Sequence, residues 1–119
     1  MSGYRDLKVW ELGVELSLKV YRLTSCFPKS EQYGLSSQMQ RAAVSIPSNI
    51  AEGHARRSQG DFLRFLRIAK GSLAELETQL IISQRLGLAE KDRHTEILNM
   101  TEEESQMLSG LIRSVQDTK

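Results

Sequence analysis

The sequence has few of the residues that form cross-links, bind metals or stack on bases. Its 119 residues include a single cysteine, Cys26, which excludes disulfide scaffolds and cysteine-rich metal sites. The two histidines, His54 and His94, lie far apart, and neither has a second ligand at helical spacing. Aromatic residues make up 6% of the chain. We therefore expect no metal and no cofactor, and only a weak capacity for base stacking.

Long apolar runs are missing as well. No stretch reaches the roughly 18 apolar residues that a membrane-spanning helix needs, and Met1–Arg5 lacks the charged-then-apolar layout of a signal peptide. The composition, with 39% hydrophobic and 26% charged residues, is that of a globular protein rather than a disordered one. We expect one cytoplasmic domain spanning residues 1–119, without membrane contact.

Enzyme motifs are also missing. The chain has no phosphate-binding loop, no dinucleotide fingerprint and no serine in a nucleophile-elbow context. It has no Glu-x-x-His pair, which a di-metal carboxylate bundle would require. We expect a protein that is not an enzyme and that has no small-molecule substrate.

Four segments carry apolar residues at helical spacing, and no segment alternates as a strand would. The predicted helices span about residues 6–26, 34–54, 59–86 and 90–116, with short connections. Helices joined in this way form an all-α, up-down-up-down antiparallel four-helix bundle. In the fourth helix we expect Ile97, Thr101 and Leu108 to point inward and the run Glu102–Glu104 to face solvent.

The second helix carries Pro47 near its middle, which predicts a kink because proline removes a backbone donor and displaces the carbonyl of Ala43. Small polar side chains bind freed backbone groups locally, so Ser48 and Asn49 are expected to do so here. Glu52 is spaced to pair with Arg56. The structural motif of this helix comprises Ser45, Pro47, Asn49, Glu52 and Gly53.

The first helix has two apolar sides. A turn of about 100° per residue places one set opposite another: Leu7, Trp10, Val14, Leu18 and Tyr21 against Val9, Leu12, Leu16, Val20, Leu23 and Phe27. A surface helix normally has one apolar face, so a second face indicates cover by another subunit. We expect a homo-oligomer whose interface comprises Val9, Leu12, Leu16, Val20 and Leu23.

Basic residues gather around the start of the third helix. The candidates for binding a nucleic-acid backbone are Arg41, Arg56, Arg57, Arg64, Arg67 and Lys70. The guanidinium group of arginine suits phosphate oxygens, but the slightly favoured interpretation is a solvated helix face with surface ion pairs. The net charge is only +1, far from the strongly basic balance of a dedicated nucleic-acid binder.

Three segments together resemble a known family. They are Asp6–Phe27 with its Asp-Leu-x-Val-Trp start, Tyr33–Gly53 with Arg-Ala-Ala-x-Ser-Ile-Pro-x-Asn-Ile-Ala-Glu-Gly, and Phe65–Leu80 with Gly-Ser-x-x-Glu-Leu-Glu-Thr-Gln-Leu. They resemble the four-helix-bundle proteins encoded in intervening sequences of bacterial 23S ribosomal RNA genes. The resemblance covers Tyr4 to about Leu88 and weakens in the fourth helix.

This resemblance implies an all-helical bundle that assembles as a homopentamer, with no established catalytic residues. A related branch, the accessory protein of diversity-generating retroelements, binds nucleic acid through a basic surface, but the near-neutral charge of this chain departs from that branch. Two hypotheses stay open. One is an oligomeric scaffold that binds an RNA or DNA backbone. The other is a protein-interaction scaffold without nucleic acid.

Overall fold

The computed structural model describes residues 3–118. Four α-helices account for most of them: α1 Lys8–Thr24, α2 Leu35–Ala55, α3 Gln59–Arg85 and α4 Lys91–Gln116. Each bound lies within two residues of the prediction, and no strand occurs within the described range. The helix α2 continues through Pro47; the kink itself stays a prediction.

The largest difference in a bound is at α1. Tyr4–Asp6 form a 3-10 helix, and the N-cap position of α1 is occupied by Leu7. The carboxylate of Asp6 accepts a hydrogen bond from the backbone N–H of Gly3 at 3.3 Å instead of capping α1. The helix therefore begins two residues later than predicted, at Lys8.

The ends of α3 follow the sequence signals. The Ser58 hydroxyl accepts a hydrogen bond from the backbone N–H of Asp61 at 3.3 Å, as an N-cap does. At the other end Gly87 has a φ of 70°, and the N–H of Leu88 reaches the carbonyl of Ser83 at 3.1 Å. This pattern is a Schellman motif, which turns the chain towards α4.

The four helices form a closed ring of neighbours. Each packs against the helices before and after it, α4 packs against α1, and within residues 3–118 the backbones of the diagonal pairs stay farther apart. The body measures 48 × 23 × 22 Å. This is the predicted antiparallel four-helix bundle. Within the described residues no helix is long and apolar enough to cross a membrane.

The core corrects the prediction for α1. Of the residues expected at an oligomer interface, Leu12 is half-buried, and four lie in the core of the single chain: Val9, Leu16, Val20 and Leu23. They fill the space between α1 and the rest of the bundle and cannot meet another subunit. The opposite side is open only in its second half, where Leu18 and Tyr21 are 44% and 49% exposed, because Leu7 and Trp10 pack against the core.

A close approach fixes how α2 and α3 cross. Gly53 is buried, and a Cβ atom added to it would lie 2.6 Å from the Cβ of Phe65. No side chain fits there without moving one of the helices. Elsewhere in the interface between α2 and α3, the hydroxyls of Ser45 and Ser72 lie 2.9 Å apart.

The predicted outward run on α4 holds for Glu102 and Glu103, but Glu104 is completely buried. The helical spacing explains this position. Glu104 lies three residues after Thr101 and four before Leu108, both of which face the core. The prediction followed the charge of the side chain rather than its register, and for Glu104 it is wrong.

The crossing at Gly53 predicts a stability difference between two glycine variants. Gly53→Ala should lower the free energy of unfolding by about 1–3 kcal/mol, because the new methyl group overlaps Phe65. Gly71→Ala is the control, since its Cβ would meet nothing within 4 Å; it should gain about 0.5–1 kcal/mol. Urea unfolding at one protein concentration measures both. Equal effects would contradict the close approach.

Candidate nucleic-acid interface

The connection between α2 and α3 presents two of the candidate arginines. After α2 ends at Ala55, Arg56 occupies the C-cap position, and Arg57 adopts a φ of 57°. The left-handed region is costly for a residue with a Cβ atom, at about 1–2 kcal/mol. This conformation turns the chain so that Ser58 can cap α3. Both arginine side chains are exposed at this end of the bundle.

Phe65 holds two guanidinium groups beside this turn. The guanidinium carbon of Arg64 lies 4.4 Å from the centre of the Phe65 ring, and that of Arg56 lies 4.9 Å from it. Cations at these distances are attracted to an aromatic ring. Phe65 itself is buried at the Gly53 crossing. The ring therefore belongs to the core while it positions two surface charges.

Acidic neighbours reduce the charge of this surface. Arg56 pairs with Glu52 at 2.9 Å, which confirms the predicted pair, and Arg64 lies 3.8 Å from Asp61. Exposed pairs of this kind contribute only about 0–1 kcal/mol, so an incoming phosphate could displace them. We name Arg56, Arg57, Arg64 and Arg67 the arginine end. Two of its four arginines, Arg56 and Arg64, are therefore paired with carboxylates.

The remaining two candidates lie elsewhere. The Lys70 ammonium donates to the Ser109 hydroxyl at 2.7 Å, which directs it towards α4. Arg41 lies fifteen residues before Arg56 on α2, or about 22 Å along the helix. It lines a groove of about 340 Å³ together with Ser45, Ser72 and Glu75. The six predicted residues therefore do not form one surface.

The motif around Pro47 has a structural role. The Asn49 side-chain amide donates to the carbonyl of Ser45 at 2.7 Å and to its hydroxyl at 2.8 Å. Asn49 thus braces the helix next to Pro47, although the carbonyl it binds is that of Ser45 and not that of Ala43. Ser48 is exposed and takes no part in this bracing. The bracing extends to Ser72 on α3 through the Ser45 hydroxyl.

Both histidines contact other side chains of the bundle. The His54 ring meets Phe62 edge-on at 5.5 Å. His94 is buried, and its Nε2 lies 2.8 Å from the Ser83 hydroxyl. Among residues 3–118 no three His, Cys, Asp or Glu side chains gather as a metal site would need.

Several buried polar residues were missed by the sequence reasoning. They are Gln79, Ser83, His94 and Glu104. For Glu104 and His94 the signal was present, because both follow the inward spacing of α4 with Ile97 and Thr101. The spacing was overlooked because both residues have polar side chains.

The geometry thus defines a class: an antiparallel four-helix bundle with a braced proline-containing helix and an arginine-rich end. The family model for the 23S rRNA-intervening sequence protein matches residues 5–110. The chain belongs to this family, which confirms the resemblance seen in the sequence and extends it well into α4.

A solved structure supports the fold. It is a protein of unknown function from the S23 ribosomal protein family of Bacteroides thetaiotaomicron. The two chains are 24% identical over 88% of this chain and 95% of the other, with a TM-score of 0.79. The comparison with curated proteins found no match.

The conformation of Arg57 predicts a separable effect of two substitutions. Arg57→Gly should raise the free energy of unfolding by about 1 kcal/mol, because glycine adopts a positive φ without a steric cost. Arg57→Ala removes the same charge but keeps a Cβ atom in the left-handed region, so it should give no such gain. Urea unfolding of both variants distinguishes strain from charge. Equal gains would show that charge is responsible.

Proposed function

We propose that the protein is a non-enzymatic oligomeric scaffold whose arginine end binds the phosphate backbone of RNA or DNA. One observation supports this most directly: Arg56 and Arg57 lie in the turn before α3, Arg64 and Arg67 follow within the first nine residues of α3, and the ring of Phe65 holds Arg56 and Arg64. Guanidinium groups fixed in this way lose little entropy when they bind phosphate oxygens. The proposed binding reads the backbone and not the bases, because both Phe62 and Phe65 pack within the bundle.

A protein-interaction scaffold without nucleic acid is the second candidate. It is favoured by the neutralisation of Arg56 and Arg64 by Glu52 and Asp61. The low net charge of +1 points the same way. Salt dependence separates the two candidates, since only backbone binding releases condensed counterions.

The test of the first candidate is a salt titration of binding to mixed-sequence single-stranded RNA and duplex DNA. The variant Arg57→Ala/Arg64→Ala/Arg67→Ala should bind more weakly. Each lost phosphate contact should reduce the slope of log K against log salt by about 0.7 on single strands and about 0.9 on duplex. The control Arg5→Ala/Arg22→Ala/Arg85→Ala removes the same charge from exposed positions elsewhere.

Two outcomes would contradict backbone binding at this surface. If both triple variants lose the same affinity, general charge is responsible and the arginine end has no special role. If the wild type binds neither nucleic acid at low salt while light scattering shows an intact assembly, the protein-interaction scaffold is the function that stands.

For the assembly itself we propose a homo-oligomer, a homopentamer by family resemblance, built on the outer side of α1 and its neighbour α2. Leu18 and Tyr21 are exposed on α1, and Val44 is 40% exposed on α2. Tyr21 and Val44 line one shallow groove. Burying such apolar side chains contributes about 25 cal/mol for each Å² removed from water.

A pair of leucine variants tests which side of α1 meets other subunits. Leu18→Glu should give a smaller assembly that keeps its helical circular dichroism, because the residue is on the open side. Leu16→Glu places a charge in the monomer core, where Leu16 is fully buried, and should unfold the chain. Light scattering measures the mass. An unchanged mass for Leu18→Glu would reject this surface.

A further inference from the structure

Glu104 lies on the side of α4 that faces Gly13 of α1, with Pro47 of α2 close to the same glycine, and its side chain is fully buried. Neither of its carboxyl oxygens has a hydrogen-bond partner among the described residues. A buried carboxylate without a partner costs far more free energy than a neutral carboxylic acid in the same place. Nothing in the arginine end or in the exposed face of α1 makes use of this group.

The carboxyl group of Glu104 fits into its surroundings because the neighbouring position on α1 has no side chain. A Cβ atom on Gly13 of α1 would lie 3.1 Å from Oε2 of Glu104 and 3.3 Å from Cβ and Cδ of Pro47. The missing side chain at position 13 therefore makes room for the carboxyl group. Pro47, on the α2 side, has no backbone N–H to donate. The pocket accommodates the volume of a carboxylic acid but supplies little to stabilise a negative charge.

The charged groups near this pocket do not compensate for it. On α4 the adjacent Glu103 is acidic, and on α3 the Glu77 carboxylate accepts a hydrogen bond from Thr101, one turn before Glu104, at 3.2 Å. The buried residues of α1 and α2 carry no titratable group, apart from the weakly acidic serines and threonines. Within residues 3–118 no ion pair includes Glu104.

We propose that Glu104 is a proton-sensitive element of the bundle: its neutral acid form lets α4 pack against α1 at Gly13, beside Pro47, and loss of the proton loosens α4 from α1. This device acts inside the single chain and does not depend on the proposed assembly or on nucleic-acid binding.

The direction of the pH effect follows from the site. Burial, with a smaller contribution from the Glu103 charge, raises the pKa of Glu104 from 4.5 to about 8. The folded chain therefore holds a proton that the unfolded chain releases. The stabilisation is complete below pH 4.5, is lost progressively as pH rises towards about 8, and then levels off. Within this window the folding equilibrium constant changes by up to about tenfold for each pH unit.

The test compares the wild type with Glu104→Gln and with the control Glu102→Gln, by urea unfolding from pH 5 to pH 9.5 at one protein concentration. Glutamine matches the neutral acid in shape and does not titrate. Glu104→Gln should gain stability relative to the wild type as pH rises, by several-fold in the equilibrium constant for each pH unit. Glu102→Gln should follow the wild type, since position 102 is exposed and its charge is not among the causes of the raised pKa of Glu104. Parallel curves for the wild type and Glu104→Gln would overturn the proposal.

A second measurement keeps the proposal testable if Glu104→Gln does not fold. Carboxyl carbon NMR on the wild-type protein follows the titration of Glu104 directly. A midpoint near 8 supports the proposal, and a midpoint between about 4 and 5, the ordinary range for a glutamate, overturns it. Native-state hydrogen exchange, corrected for the intrinsic pH effect, should then show lost protection around Gly13 and Glu104 above pH 8. Unchanged protection there would contradict the loosening of α4.

Discussion

The contact of Gly53 with Phe65 determines where α2 and α3 meet, and the arginine end depends on it. With a side chain at position 53 the helices could not approach so closely, because the Cβ of Phe65 occupies that space. The same contact places the aromatic ring beneath Arg56 and Arg64. A packing constraint in the core thus fixes the positions of two surface charges, and changes at the crossing would reach the proposed binding surface without altering any residue in it.

Most of the fold could be predicted because it rests on local signals. Proline and glycine near helix ends, the Ser58 cap and the spacing of Phe65, Leu66, Ala69 and Leu73 place the helices within two residues of their observed bounds. The pair of Glu52 and Arg56 is local in the same sense, since four residues on a helix surface separate the partners. The family was equally accessible because its motif residues cluster in three short segments of the sequence.

The sequence could not decide which side of α1 faces the core. Both sides are apolar. The spacing of apolar residues shows which residues share a side of the helix, but it does not show which side the other helices cover. The choice depends on contacts with distant segments, such as that of Gly13 with Glu104 of α4, where a Cβ atom on the glycine would lie 3.1 Å from Oε2 of the glutamate. The scatter of the basic candidates has a similar cause. Arg41 and Lys70 are positively charged like the residues of the arginine end. Their positions relative to it depend on the lengths and directions of the helices.

The alternating direction of the helices has an electrostatic consequence. Each helix carries a macrodipole with about half a positive charge at its N-terminus and half a negative charge at its C-terminus. At the arginine end the start of α3 lies beside the end of α2, and the start of α1 beside the end of α4. These partial charges offset one another across the ring of helices. The field at that end is therefore set by its side chains, and exchanging a few surface residues can reverse its sign while the backbone stays the same.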